Sequence, residues 1–342
     1  MNKAEELSDF HRYFEESFYE HQKLMEKYGY SWVPLKTLYI GGGTPSLWGI
    51  EGSTFLREFF AKHNIELAPD CEFTLEVNPG SWTEEVLNSW ESIGVNRYSL
   101  GIQSLDGQVI RTLDRVHTIE DVYETVEYFH KKGINFSVDF MLGLPFSKEV
   151  SRDVISELER VLKYKPFHFS VYILTVKNNY THYEKLPTED WIEKEFISVS
   201  EFLKAQGYNH YEVSNFALPG KESKHNLNYW KSETVAAIGP SATGLLAEDM
   251  LRYKWKTKNA QMDIEHLNPD EFKLEKLYMS IRAEGINLAE LIQKNSKWKD
   301  LSEKWVRDDL AIINSDQILK LTSKGYLILD SLMNDIFIAD ID

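Results

Sequence analysis

Leu38-Tyr39-Ile40-Gly41-Gly42-Gly43-Thr44-Pro45 decides how this chain is read. An apolar strand runs straight into three glycines, and Thr-Pro then opens a new element. Glycine lets backbone N–H groups approach a ligand where a side chain would block them. Four further strand-like segments end in polar residues or glycine: Glu76-Val77-Asn78-Pro79, Gly101-Ile102-Gln103-Ser104, Asp139 to Pro145, and Tyr172 to Thr175. Polar groups gathered at the C-terminal ends of successive parallel strands are how a β/α barrel builds its site.

Strand-like runs at 37–41, 72–77, 97–103, 135–142 and 168–174 alternate with helical patterns at 51–63, 83–93, 105–114, 118–132 and 148–164. That alternation predicts a parallel sheet with right-handed crossovers. Several strands read as continuous apolar runs, which predicts burial on both faces. Phe10, Phe14, Phe18, His21 and Met25 recur at helical spacing, so 8–28 is expected to be an amphipathic helix. A helix at 189–206 leads to a strand-like Tyr211–Phe216. From about residue 265 the texture changes to helices at 270–283, 287–293 and 301–311, a strand at 317–321, a turn at 322–325, and a last helix ending near 335. The expected division is a barrel unit at 1–245 and an accessory unit, helical or winged-helix-like, at 246–342.

The composition excludes several classes. A net charge of -16 argues against a nucleic-acid partner, because phosphate contacts need a basic surface. With 42% hydrophobic residues over 342 positions, a large packed core is feasible. No apolar run is long enough to span a membrane, so no membrane insertion is expected. The single cysteine, Cys71, allows neither a disulfide framework nor a cysteine-ligated cluster within these residues. Few cysteines and no export signal predict a cytoplasmic location.

Taken together, Gly41–Ser46, Glu76–Pro79, Ser99–Ser104 and Asp139–Pro145 resemble the radical S-adenosylmethionine (SAM) proteins related to oxygen-independent coproporphyrinogen III oxidase. Tyr211-Glu212-Val213-Ser214-Asn215-Phe216-Ala217 and His225-Asn226-Leu227-Asn228-Tyr229-Trp230 resemble the HemW-type haem chaperone branch. The resemblance runs from about residue 35 to the C-terminus. It implies an incomplete parallel (β/α)6-type barrel with a small C-terminal accessory domain. It implies SAM, a [4Fe–4S] cluster and haem as cofactors. It also implies delivery of haem to haem-requiring respiratory proteins, and a possible homodimer.

The chain departs from the family at one point. The family holds its cluster on a Cys-x3-Cys-x2-Cys loop after the first strand, and these residues contain no such motif. The expectation is a shortened chain that begins beyond that loop and lacks the first strand; a natural clusterless relative is the alternative. Reductive cleavage of SAM is not expected of these residues. The alternative function, oxidative decarboxylation by a coproporphyrinogen III oxidase, would require the cluster.

The resemblance assigns roles residue by residue. Gly42, Gly43 and Thr44 would hold the methionyl amino end of SAM, and Glu76 would make a polar contact to it. Gln103 carries an amide suited to a ribose or carboxylate. Arg115 would fork onto the SAM carboxylate, against the plainer reading of an ion pair with Asp114 or Glu120. Asp139 would lie near the ribose, and Thr175 near the adenine end. His225 is a candidate haem ligand, imidazole being a common one; the plainer reading is a loop that plugs the barrel.

Overall fold

The computed structural model describes residues 3–42, 45–113, 115–177 and 179–341. Gly43, Thr44 and Asp114 therefore lie outside the described residues. The chain opens with α1 (Lys3–Lys27), followed by β1 (Leu35–Ile40), α2 (Gly49–His63), β2 (Leu67–Val77), α3 (Glu84–Glu91), β3 (Arg97–Gln103), α4 (Gly107–Thr112) and α5 (Ile119–Lys132). Next come β4 (Phe136–Leu142), α6 (Val154–Leu162), β5 (His168–Ile173) and α7 (Glu189–Ala205). Strands β1 to β5 are parallel neighbours in chain order, as the alternating pattern predicts.

The 211–216 segment is not one strand. It is a tight antiparallel hairpin, β6 (Asn209–Glu212) and β7 (Asn215–Ala217), that extends the sheet beyond β5. Val213 and Ser214 form its turn, a reversal without the glycine or proline that would mark it. A short helix α8 (Lys224–Trp230) then packs against β1.

The strands are not apolar on both faces. Phe73, Leu75, Val77, Tyr98, Leu100, Ile102, Phe136, Val138, Phe140 and Leu142 are fully buried beneath the helices. Side chains alternate across a strand, so Glu76, Ser99, Gly101, Gln103, Ser137, Asp139, Ser170 and Tyr172 share the opposite face. That face is polar because it lines the inside of the curled sheet.

A second sheet, β8 (Thr243–Leu246), β9 (Leu251–Trp255) and β10 (Met262–His266), was not foreseen from the sequence. It packs on α1: Tyr253 and Trp255 are buried beside Leu24, and the Tyr253 hydroxyl lies 2.7 Å from His21 Nε2. The division expected at 245/246 falls within β8. The C-terminal part holds α9 (Pro269–Ile281), β11 (Ile286–Asn287), α10 (Leu288–Lys294), α11 (Lys297–Arg307), β12 (Ala311–Ile313), β13 (Ile318–Leu321), α12 (Ser323–Leu327) and α13 (Leu329–Ile341). Its own core centres on Trp298, Trp305, Ile281 and Leu319. The helix expected to reach residue 311 stops at Arg307, and Ala311 is already in β12. The turn expected at 322–325 is instead a helix start, with the Thr322 hydroxyl accepting from Gly325 N–H at 3.2 Å. Among the described residues, no helix is long and apolar enough to cross a membrane.

Candidate functional site

The inner face is organised in rungs set by strand register. Glu76 pairs with Ser99. Gly101, Asp139, Ser170 and Asn215 pair across the next rung, from β3 to β7. Neighbouring strands lie about 4.8 Å apart, so these side chains form one continuous surface towards the C-terminal strand ends.

At the β1 end, Glu76 organises the glycine turn. Its Oε1 accepts from the Tyr39 hydroxyl at 2.7 Å, and its Oε2 accepts from Gly42 N–H at 3.0 Å. Gly41 makes this possible: a Cβ there would lie 2.7 Å from Glu76 Oε1 and 2.5 Å from the Tyr39 ring. One backbone donor of the turn, Gly42 N–H, is therefore already engaged by a carboxylate. Burial, with Glu76 and Asp139 close by, raises the Tyr39 pKa, so its hydroxyl remains a donor.

In the middle, Asp139 accepts from the Ser99 hydroxyl at 3.0 and 3.1 Å. Ser137 supports Ser99 at 3.0 Å. Burial pushes the Asp139 carboxyl up to about 6, against the lowering pull of hydrogen bonds from Ser170 and Ser99. Glu76 adds a repulsion and Arg97 a smaller attraction. Beyond it, burial raises Glu212 to about 7.

Asn78, Gly101, Gln103 and Arg115 meet above this layer. Arg115 donates to Asn78 Oδ1 at 3.4 Å and forms no ion pair with Glu120; Asp114, the other partner of the plainer reading, lies outside the described residues. A Cβ on Gly101 would sit 3.0 Å from Asn78 Oδ1 and 3.2 Å from Gln103 Nε2. Gln103 itself has a left-handed backbone, φ 67°. Thr175 does not join this group. It lies exposed two residues past β5, and no hydrogen bond among the described residues links it to the cluster.

His225 lies at the β1 edge. Its ring stacks on Tyr39 at 5.2 Å and meets Tyr229 edge-on at 5.3 Å. Its Nδ1 is 3.1 Å from the Thr37 hydroxyl, which also accepts from Asn228 Nδ2. Glu72 fixes the start of α8 by accepting from Ser223 Oγ and from the Lys224 and His225 N–H groups. Burial lowers the His225 pKa, which keeps the imidazole neutral.

Four residues expected to contact SAM, Gly42, Glu76, Gln103 and Asp139, thus share one face with Arg115. Sequence reasoning missed Tyr39, Asn78, Ser99, Ser170 and Tyr172. The period-two alternation through Asp139 and Gln103 could have found Ser99; the cross-strand partners required the register.

The residues present fit a polar adenosyl-type ligand. Asn215 Oδ1, on the same rung as Asp139 and Ser170, is buried without a hydrogen-bond partner, a state that is costly unless a ligand or water relieves it. The residues present do not fit a cluster. Three thiolates are needed, and Cys71 is the only cysteine. It is buried in β2, with burial holding its thiol up at about 11. Among the described residues, no other His, Cys, Asp or Glu group could hold a metal ion.

The radical SAM superfamily model matches residues 7–158. A Lactococcus lactis protein named heme chaperone HemW is 31% identical over 333 residues, covering 90% of this chain and 86% of the relative. The chain belongs to the HemW family of radical SAM proteins. The Bacillus subtilis heme chaperone HemW is 29% identical, with 86% of this chain and 83% of that protein aligned. The match to the Buchnera aphidicola member, at 34% identity, covers 65% of that protein. Escherichia coli coproporphyrinogen III oxidase, HemN, a radical SAM enzyme, superposes with a TM-score of 0.77 over 98% of this chain and 84% of its own. At 17% identity that likeness speaks to the fold alone.

Proposed function

We propose that this chain is a haem chaperone that binds haem and passes it to haem-requiring proteins, respiratory proteins being the acceptor class. The inner-face cleft takes SAM or a SAM-like nucleoside. The observation that carries this reading is the likeness over most of the chain to proteins named heme chaperone HemW, and the polar inner-face cleft supports it.

In the cleft, Gly42 and Glu76 would meet the ligand's amino end. Arg115, steadied by Asn78, would take the carboxylate. Asp139 and Gln103 would meet the ribose. Gly43 and Thr44 are kept for the amino end on sequence position alone, and Thr175 for the adenine end on strand order alone. Carboxylates on this face also suit the positive sulfonium of SAM.

Haem would be ligated by His225. With Nδ1 engaged by Thr37, Nε2 is the nitrogen left for iron, and Tyr229 and Tyr39 offer aromatic faces beside it. When bound, haem supplies the cargo and no chemistry is asked of the chain.

Titrating haem into the protein and following the Soret band tests the reading, with H225A alongside. A saturable band that H225A weakens or shifts is expected; no saturable binding would overturn it. The same protein incubated with SAM and dithionite is expected to form no 5′-deoxyadenosine. Coproporphyrinogen oxidation stays the second reading for a chain that carries the cluster, and assaying such a chain for protoporphyrinogen would favour it.

A further inference from the structure

Behind the cleft, on the helix side of the sheet, lies a charge cluster that the functional reading does not use. The Arg152, Glu157 and Glu195 side chains are 0%, 3% and 5% exposed. Arg152 forks onto Glu157, Nε to Oε1 at 2.8 Å and Nη2 to Oε2 at 3.3 Å. Its Nη1 donates to the Met141 carbonyl at 2.8 Å and lies 3.6 Å from Glu195 Oε1. Each carboxylate then reaches a different loop. Glu157 Oε2 accepts from the Ser104 hydroxyl at 2.9 Å and from Leu105 N–H at 2.6 Å, just after β3. Glu195 Oε2 accepts from Gly143 N–H at 2.9 Å, just after β4.

Buried charges of this kind are costly and gain their place through the geometry they fix. The geometry here is unusual. Gln103, Phe146 and Ser151 are non-glycine residues with φ of 67°, 64° and 50°. All three lie in the two segments that the cluster ties together. Such conformations persist only where the surroundings over-determine them. Ser104, directly after Gln103, is held twice: its hydroxyl donates to Glu157 and accepts from Asp106 N–H at 3.0 Å. Both bonds restrain the residue that follows Gln103, whose amide lies beside Gly101 in the cleft.

We propose that Arg152, Glu157 and Glu195 are positioning residues that lock the loop after β3 to the loop after β4, so that Gln103 is presented to the cleft in one fixed conformation. The ligand consequence rests on the adenosyl-cleft reading; the mechanical consequence does not. A change at Glu195, which touches only the β4 loop directly, is therefore felt at Gln103.

Hydrogen–deuterium exchange on the full chain tests this, comparing wild type, E195Q and the milder S104A. E195Q is expected to speed exchange about tenfold or more at 103–106 as well as at 141–144, a loss of protection on the order of that for a buried charged hydrogen bond. S104A is expected to loosen 103–106 and leave the β1 and α8 amides unchanged. Exchange changes confined to 141–144 in E195Q would overturn the proposal, as would an unchanged 103–106 segment in S104A. Equilibrium dialysis with S-adenosylhomocysteine is run in parallel. Weaker binding by E195Q than by wild type is expected, and equal binding despite a loosened 103–106 would refute presentation of Gln103. No binding by wild type would sink the cleft reading while the exchange result still decides the lock.

Discussion

Replacing Asp139 by asparagine should make the unliganded protein more stable at neutral pH and leave it unchanged in acid. Burial raises the Asp139 pKa from 3.8 to about 6 in the folded protein. The folded chain therefore holds that proton more tightly than the unfolded chain does. Stability falls as pH rises from about 4 to about 6, then levels off, since both states are ionised above that range. The full cost of the buried charge is about 3 kcal/mol above pH 6. The substituted amide would keep one acceptor for the Ser99 hydroxyl, and the Ser170 hydroxyl can turn to accept from its NH2 group. A net gain of about 1–3 kcal/mol is expected near neutral pH, once imperfect hydrogen bonds are allowed for. Urea unfolding of wild type and D139N at about pH 4 and about pH 7.5 measures it. The difference should be small in acid and grow with pH. A difference independent of pH, or one that turns against D139N as pH rises, would refute the reasoning. Asp139 would then be a comfortable structural carboxylate and not one kept, at a cost, for a ligand.

G101A should weaken S-adenosylhomocysteine binding about tenfold, because its Cβ would press on Asn78 Oδ1 and the Gln103 amide; calorimetric titration reads it. E212Q should raise the melting temperature most above about pH 7 and little near pH 4. Burial raises this carboxyl from 4.5 to about 7, so its cost appears only as pH climbs through that window. Cys71 should react slowly with a thiol reagent in the native protein and quickly in urea, since its thiol is buried and its pKa held near 11; fast native labelling would show an open or loosened β2. W298A should cost about 3–5 kcal/mol, as that indole is wholly buried at the centre of the C-terminal core.

Strand order was legible along the chain because each β/α unit carries its own local signals: a β-branched or aromatic run, a glycine or capping residue, then a helical period. Thr83, Asp106, Thr118 and Asp153 each cap the next helix through their side chains. The glycine turn and the polar strand ends were visible for the same reason. The hairpin at Val213–Ser214 and the sheet from Thr243 to His266 were not. Their pairing is antiparallel between short segments, and a three- to five-residue strand leaves too few residues to show a period. Their hydrophobic partners, Leu24 on α1 for one and Ile281 and Trp298 near the other, lie far away in the chain.

The sequence by itself determined the α/β alternation, the family and the residue types at the strand ends, because these depend on local composition and order. Tertiary structure alone decided which of those residues meet. Register set Asp139 between Gly101 and Ser170, and α8 carried His225 across to β1. It also buried Arg152 between two glutamates from different helices. Contacts of that kind depend on how far the sheet curls and where each helix lands, and those follow from packing the whole core together.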